Sequence, residues 1–286
     1  MNTPSHADRR RRRRLAAMVL IACGLLAATA CSGVNFGLSA GGGSSNGALS
    51  DAINEANSTY VILDLASGAR TTAVAIPDLT SNAAYQTSKM VFRRVSGLGA
   101  DYMLGVFEVT QGQWQLIAPS ATPAWSLVDQ AVVGTAAIGP GLPAFNLSND
   151  GIVSGLSAYN AGKQVALVLP SDAQWQFACA AGSSGPWSWG GADDRATVTA
   201  SALVAETQVA TGPEAVGLRQ ANAWGFYDMH GNVWEWTGAG AGAHVRGGSW
   251  HDSVVLAETA NIAGSDQGIF SNTHHALIGL RLLLQQ

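Results

Sequence analysis

An α+β fold with little regular secondary structure is what this sequence predicts, and three observations carry the prediction. Short runs rich in β-branched and aromatic residues, YVILDL (60–65), VFRRV (91–95) and MLGVFEVT (103–110), read as strands on composition. A capped amphipathic run, LPSDAQWQFACAAG (169–182), reads as a helix. Beyond Gly182 the period dissolves into SSGPWSWGGADD, yet seven of the nine tryptophans lie between Trp175 and Trp250. That combination implies a core built from loops, with tryptophans filling the gaps.

The N-terminus is of a different kind. Six arginines, Arg9 to Arg14, precede the apolar run LAAMVLIACGLLAATA and then Cys31. A basic start, a short apolar stretch and small residues before a break describe an export signal. The apolar run is sixteen residues, short of the roughly 20 that a spanning helix needs. Ala28-Thr29-Ala30-Cys31 looks like a bacterial lipobox, so residues 1–30 are expected to be removed and Cys31 lipidated. An ordinary signal or an uncleaved anchor is the alternative. Cleavage would leave nine basic and 18 acidic residues, a net charge of about −9. Such a balance argues against nucleic acid as a partner and leaves the lipid as the only hold on a membrane. Only Cys179 would remain beside the lipidated cysteine, so no internal disulfide is expected.

Residues 31–57, with AGGGSSNG at their centre, have the composition of a flexible tether. Residues 58–286 are expected to form one domain. Within it, VTQGQWQLIA places Trp114 and Ile117 three apart on one helical face. In the second helix Ser171 is a good N-cap and Gln174 at N3 completes a capping box. Ala173, Phe177 and Ala180 share one face and Trp175 and Cys179 another. Cys179 reads as a small buried hydrophobe.

The densest stretch is GFYDMHGNVWEW, Gly225 to Trp236. Gly231 and Asn232 suit neither a helix interior nor a strand centre. It reads as a loop pinned by large side chains, whose irregular backbone needs polar compensation.

Four motifs now stand in order: FEVTQGQW (107–114), LPSDAQWQFACAAG, NAWGFYDMHGNVWEW (222–236) and VRGGSW (245–250), with a terminal IGLRLLL. Together they resemble the formylglycine-generating enzyme (sulfatase-modifying factor) family over about residues 90–286. The resemblance implies a variant of the C-type lectin fold, low in regular structure. It further implies a calcium ion held by the Asp228 and Glu235 side chains and the Gly231 and Val233 carbonyls, a mixed oxygen set that calcium accepts. A metal-free alternative pairs Glu235 with a buried arginine, Arg246 or Arg281.

The family's oxidase chemistry rests on two cysteines that bind Cu(I), and soft thiolates are what that ion requires. In GGSWHDSVVLAETA their motif positions hold Asp252 and Ala257, and residues 251–286 contain no cysteine. No copper is therefore expected. His230, His244, His251, His274 and His275, with Asp252 and Asp266, could in principle supply a rebuilt metal centre, but none shows paired ligand spacing. They read as surface or loop histidines. A modifying oxidoreductase with a rebuilt centre is the alternative function.

The preferred function is binding. The chain also resembles the variable proteins of diversity-generating retroelements, whose ligand-binding residues lie between the RGGSW-like motif and the terminal strand. Here that stretch is 251–277, and Glu258 to Ile262 replaces the usual R-S-A-x-R-like pattern. Only Glu258 and Gln267 fall outside the residues that adenine-directed diversification can produce. The resemblance nominates His251, Asp252, Ser253, Val255, Asn261, Asp266, Phe270, Asn272, His274 and His275 as contacts with an unknown protein or cell-surface ligand. The expected location is exported and membrane-anchored, at the cell surface or outer membrane.

Overall fold

Strand β1 (Tyr60–Asp64) alternates half-buried and buried side chains, with Val61 and Leu63 inside, as expected of a strand with one wet face. It begins the part of the chain described by the computed structural model, which covers residues 58–125, 138–191, 193–207 and 212–285. The signal segment, Cys31 and the 31–57 linker lie outside the described residues.

Two sheets organise the domain. The first orders its strands β2-β1-β3-β4-β9-β5, all neighbours antiparallel. Its further members are β2 (Arg70–Ala73), β3 (Lys89–Val95), β4 (Tyr102–Gly105), β5 (Leu167–Val168) and β9 (Leu283–Leu284). β4 lies between β3 and β9 and is buried throughout. The second sheet holds β6 (Trp234–Thr237) between antiparallel β7 (His244–Arg246) and parallel β8 (Ile278–Leu280). The last segment therefore serves both sheets: β8 belongs to the second, β9 to the first, and Arg281 and Leu282 form the corner between them.

Four α-helices are described. Helix α1 (Gln111–Ile117) opens with a closed capping box. Thr110 Oγ1 accepts from the Gln113 N–H at 3.2 Å and Gln113 Oε1 accepts from the Thr110 N–H at 3.0 Å. It buries Trp114 and Ile117, the pair the spacing selects. Helix α2 (Asn149–Lys163) is capped by Ser148, and sequence reasoning passed over it. Helix α3 (Asp172–Ala180) carries the expected Ser171–Gln174 box. Its buried face is Trp175, Ala178 and Cys179, whereas Ala173 is exposed and Phe177 and Ala180 half-covered. Helix α4 (Arg195–Ser201) starts at an Asp194 cap. The expected strand over 103–110 stops at Gly105, and Gln111 already begins a helix.

The dense stretch Gly225 to Trp236 divides in two. Residues 225–233 are loop, and 234–237 are the central strand of the second sheet. Asp228 (φ 57°) and Asn232 (φ 60°) adopt left-handed backbone, as does Gly231 (φ 87°). At Gly231 a Cβ would lie 2.0 Å from the Leu203 carbonyl oxygen, which accepts from the Asn232 N–H at 2.8 Å. A backbone acceptor cannot swing aside, so only glycine fits.

Arg281 holds the two sheets and this loop together. Its Nη2 lies 2.7 Å from Glu235 Oε1 and its Nε 3.0 Å from Oε2. The same guanidinium donates to the carbonyls of Gly105, Val106 and Tyr227. Both partners are almost fully buried. Replacing one partner leaves the other charge buried and unpaired, at a cost of about 3–5 kcal/mol. Arg281→Met should therefore lower the urea-unfolding free energy by roughly that amount, and Arg281→Lys should recover only part because an ammonium cannot fork. A loss under about 1 kcal/mol for Arg281→Met would show that the pair holds little.

Candidate functional site

The 251–277 segment leaves the second sheet after β7 and returns to it as β8, and several ties secure it between them. Asp252 is the first. Its Oδ2 accepts from the Trp234 indole N–H at 2.7 Å, the Ser249 hydroxyl at 2.5 Å and the Ser249 N–H at 3.1 Å. Its carbonyl accepts from the Ala205 N–H. A carboxylate so committed is a positioning group, and Asp252 thereby leaves the set of free contacts. Ala257 is fully buried with Trp187, Val198, Ala202, Val204 and Val254. The two positions where the family places its copper thiolates are thus a hydrogen-bonded anchor and a piece of apolar core.

His230 pins the segment from beneath. Its Nδ1 stands 2.7 Å from the Ala257 carbonyl, which can only accept, so Nδ1 carries the proton. Nε2 then accepts from the Ser188 hydroxyl at 3.0 Å and the Ser188 N–H at 3.2 Å. The ring also meets Trp189 edge-on at 4.7 Å and the Cys179 sulfur at 3.6 Å. Burial pushes His230 down to about 4 and the Cys179 thiol up to about 12. The pair is therefore a neutral imidazole beside an un-ionised thiol, with no activated nucleophile. His230 is a loop histidine as expected, but not a surface one, being 3% exposed. His251, His274 and His275 are exposed, and His244 pairs with Asp172 at 2.7 Å.

The remaining nominated contacts fall into two groups. Ser253, Val255 and Asn261 surround the 3₁₀ turn Val254–Ala257, and the Asn261 amide donates to the Leu256 carbonyl at 2.6 Å. Asp266, Phe270, Asn272, His274 and His275 belong to a loop docked on the start of α2. There the Asp150 N–H donates to the Ser271 carbonyl, and His274 Nδ1 reaches the Asn146 carbonyl at 3.1 Å. Between the groups Ala263 pairs with Val245 through two backbone hydrogen bonds. Sequence reasoning missed Leu256 and Ile262, both exposed. Their signal was available: they are aliphatic residues inside the nominated span.

Around Asp228 the interior is unusually acidic. Glu108, fully buried, accepts from the Asn232 amide at 2.6 Å and the Val233 N–H at 3.1 Å. Burial first, then Asp228 and Glu235, holds its carboxyl well above the ordinary range. Burial likewise raises Asp228 to about 6, although its Oδ2 accepts from the Gly217 N–H at 2.6 Å. Glu235 is engaged by Arg281 and by the Trp175 indole N–H at 2.5 Å. Its charge is already met, so the residues as arranged do not fit a calcium ion ligated by Glu235. The arginine pair left open by the sequence is what this carboxylate makes. Among the described residues, no group of three or more His, Cys, Asp or Glu side chains could hold a metal ion.

The geometry defines a mixed α+β scaffold of the C-type-lectin-like kind, low in regular structure, presenting one long C-terminal segment. Residues 93–285 match the sulfatase-modifying factor enzyme 1-like domain, and the chain belongs to that family. Among curated proteins, the formylglycine-generating enzyme of Mycobacterium tuberculosis (strain ATCC 25618 / H37Rv) is 34% identical over 83 residues. That match spans 24% of this chain and 26% of the enzyme. Among solved structures, Treponema denticola variable protein 1 superposes with a TM-score of 0.58 at 15% identity, covering 69% of this chain and 96% of that one. PvdO from Pseudomonas aeruginosa gives 0.53 at 15% identity, with 79% and 91% covered. At these identities the structural likenesses establish the fold.

The His230 pin sets a pH dependence. An unfolded histidine titrates near 6.5, whereas the folded one is pushed down to about 4. The unfolded chain therefore binds the proton first as pH falls. The stability contribution is whole above about 6.5 and is lost between there and about 4, to a total of about 3 kcal/mol. His230→Asn keeps a donor for Ala257 and removes the titration. Its unfolding free energy should start lower but fall less steeply over that window. Parallel wild-type and variant slopes would contradict the assignment.

Proposed function

We propose that this chain is a non-catalytic, surface-displayed lipoprotein that binds its ligand through residues 251–277. One observation carries the reading. Val255, Leu256, Ile262 and Phe270 are four of the ten exposed large apolar side chains among the described residues, and they fall within sixteen positions. Singly scattered apolar groups need no explanation, whereas a concentration marks an interaction surface. The segment is tied to rigid strands at both ends and in the middle, which suits a contact surface borne on a scaffold. With Asp252 and Ala257 in place of the thiolates, copper-dependent cysteine oxidation has no ligands to act through.

Lipidation at Cys31, export and anchoring at the cell surface or outer membrane complete the reading. The Gly- and Ser-rich tether would hold the domain clear of the bilayer. Diversification of the segment is tested by deep sequencing of the codons for 245–286 across one culture. We expect variation at scattered codons inside 251–277, with Asp252, Ala257 and Ala263 spared for their structural roles and 246–250 unchanged. A uniform population would reduce the proposal to a surface with one ligand.

We also propose that Arg281, not calcium, supplies the cation that Glu235 needs. A chelator should then leave the melting temperature unchanged. A fall of several degrees, reversed by calcium, would instead place the ion at Asp228 and the Gly231 and Val233 carbonyls.

A further inference from the structure

The α3 face opposite its buried Trp175–Cys179 stripe is only partly covered. Ala173, Phe177 and Ala180 line a cleft of about 400 Å³ together with Leu98, Pro186 and Ala260. Leu98 is 37% exposed, Pro186 and Ala260 are also exposed, and Phe177 is braced edge-on by Trp224 at 5.0 Å. The floor is therefore rigid and the mouth open. Ala260 belongs to the 251–277 segment, so the cleft continues the binding surface around Val255, Leu256 and Ile262.

Two chemical properties select an occupant. The lining is more apolar than polar: Leu98, Ala173, Phe177, Ala180, Pro186 and Ala260 outnumber the polar Gln176, Ser183, Ser184 and Thr259. A hydroxyl-covered sugar would leave several polar groups unpaired against the apolar part of this lining, whereas an aliphatic or aromatic side chain gains by burial there. Charge is the second property. Residues 247–280 contain no Lys or Arg but carry Glu258 and Asp266 beside the internal Asp252. The two arginines that flank this span, Arg246 and Arg281, are buried and held by Asp172 at 2.9 Å and Glu235 at 2.7 Å. A second copy of this chain would bring like charge to like charge, which opposes association, while a basic partner complements the surface.

We propose that the ligand is a basic polypeptide that seats one aliphatic or aromatic side chain in the Leu98–Phe177–Ala260 cleft. This rests on the binding function proposed above and names the partner class for the same surface. The cleft receives the anchor side chain, and a flanking Lys or Arg meets Glu258, next to Thr259 in the lining, as buried anchors with polar rims do at protein interfaces.

The test pans a displayed library of random peptides on the immobilised full-length protein, with a glycan array run in parallel. The expected outcome is enrichment of peptides with a Leu, Ile or Phe flanked by Lys or Arg, whose binding weakens with salt. Ala260→Arg fills the cleft with charge, and Leu98→Lys adds charge to the same lining. Both sites are exposed, so both variants should melt as wild type does, yet each should weaken the selected peptides about tenfold or more. Val255→Asp and Phe270→Asp separate the two readings. Peptides sensitive to these but indifferent to Ala260→Arg and Leu98→Lys would overturn the cleft and keep the 251–277 surface. Peptides indifferent to all four variants would overturn both. Enrichment of glycans alone, or of no peptide at all, would overturn the polypeptide partner.

Discussion

Everything else in this domain hangs on one buried guanidinium. Arg281 stands at the corner where the chain passes from β8 to β9, and from there it touches Glu235 in the second sheet, the carbonyls of Gly105 and Val106 at the end of β4 in the first, and Tyr227 in the loop between. A fold with so much irregular backbone generates carbonyls that no ladder can satisfy, and buried carbonyls must be paired. Arg281 answers five acceptor atoms at once. Its charge also meets an interior that contains Glu108, Asp228 and Glu235. With three carboxyls near one cation, two of them can stay buried only by holding their protons more tightly, the direction seen for Glu108 and Asp228.

The tryptophans work by the same logic at smaller scale. Trp236 donates to the Leu147 carbonyl at 2.8 Å, Trp187 to Val254 at 3.0 Å and Trp125 to Phe145 at 2.9 Å. Each indole fills a gap between loops with apolar surface and spends its one donor on a backbone acceptor that has no strand partner. Trp250 has no such partner among the described residues; its ring fills space against Phe145, Leu203, Val233 and Leu277. A domain whose one described cysteine is free and buried therefore owes its rigidity to polar side chains that reach across the core.

That logic explains what was legible in the sequence. Capping boxes are local: Thr110–Gln113 and Ser171–Gln174 depend on four consecutive residues, so α1 and α3 could be read directly. Helix α2 was missed although Ile152, Leu156 and Tyr159 recur at helical spacing, because Gly151, Gly155 and Gly162 depress its helical propensity. Gly155 is there for tertiary reasons, since a Cβ would lie 2.8 Å from that of Ala118. Strand β6 was hidden inside a stretch read as loop. It becomes a strand because β7 and β8 flank it, a fact no local pattern contains. Helix α3 was read with two faces and with Cys179 buried, as it is. Both of its stripes are apolar, and the choice between them depends on where Glu235 and Met229 lie. The site divides along the same line. The span 251–277 was legible from its flanking motifs, whereas the inward turn of Asp252 depends on Trp234, eighteen residues away, and the burial of His230 on Ser188 and Ala257.

The two positions without thiolates show what the proposed binding scaffold would ask of positions that a catalytic one uses for metal. A copper site needs its ligands exposed to substrate and oxygen, with their electrons uncommitted. Here Asp252 has spent its carboxylate on Trp234 and Ser249, and Ala257 lies within the apolar cluster above His230. Both substitutions convert a reactive position into one that holds the chain still. What is held still is the backbone between them and beyond, on which Ser253, Val255, Leu256 and Asn261 stand outward. A surface borne on a backbone tied at 252, 257 and 263 can exchange its outward side chains without disturbing a hydrogen bond of the frame, except where Asn261 reaches back to Leu256. In the proposed binding role, immobility at those three points would let the side chains between them vary.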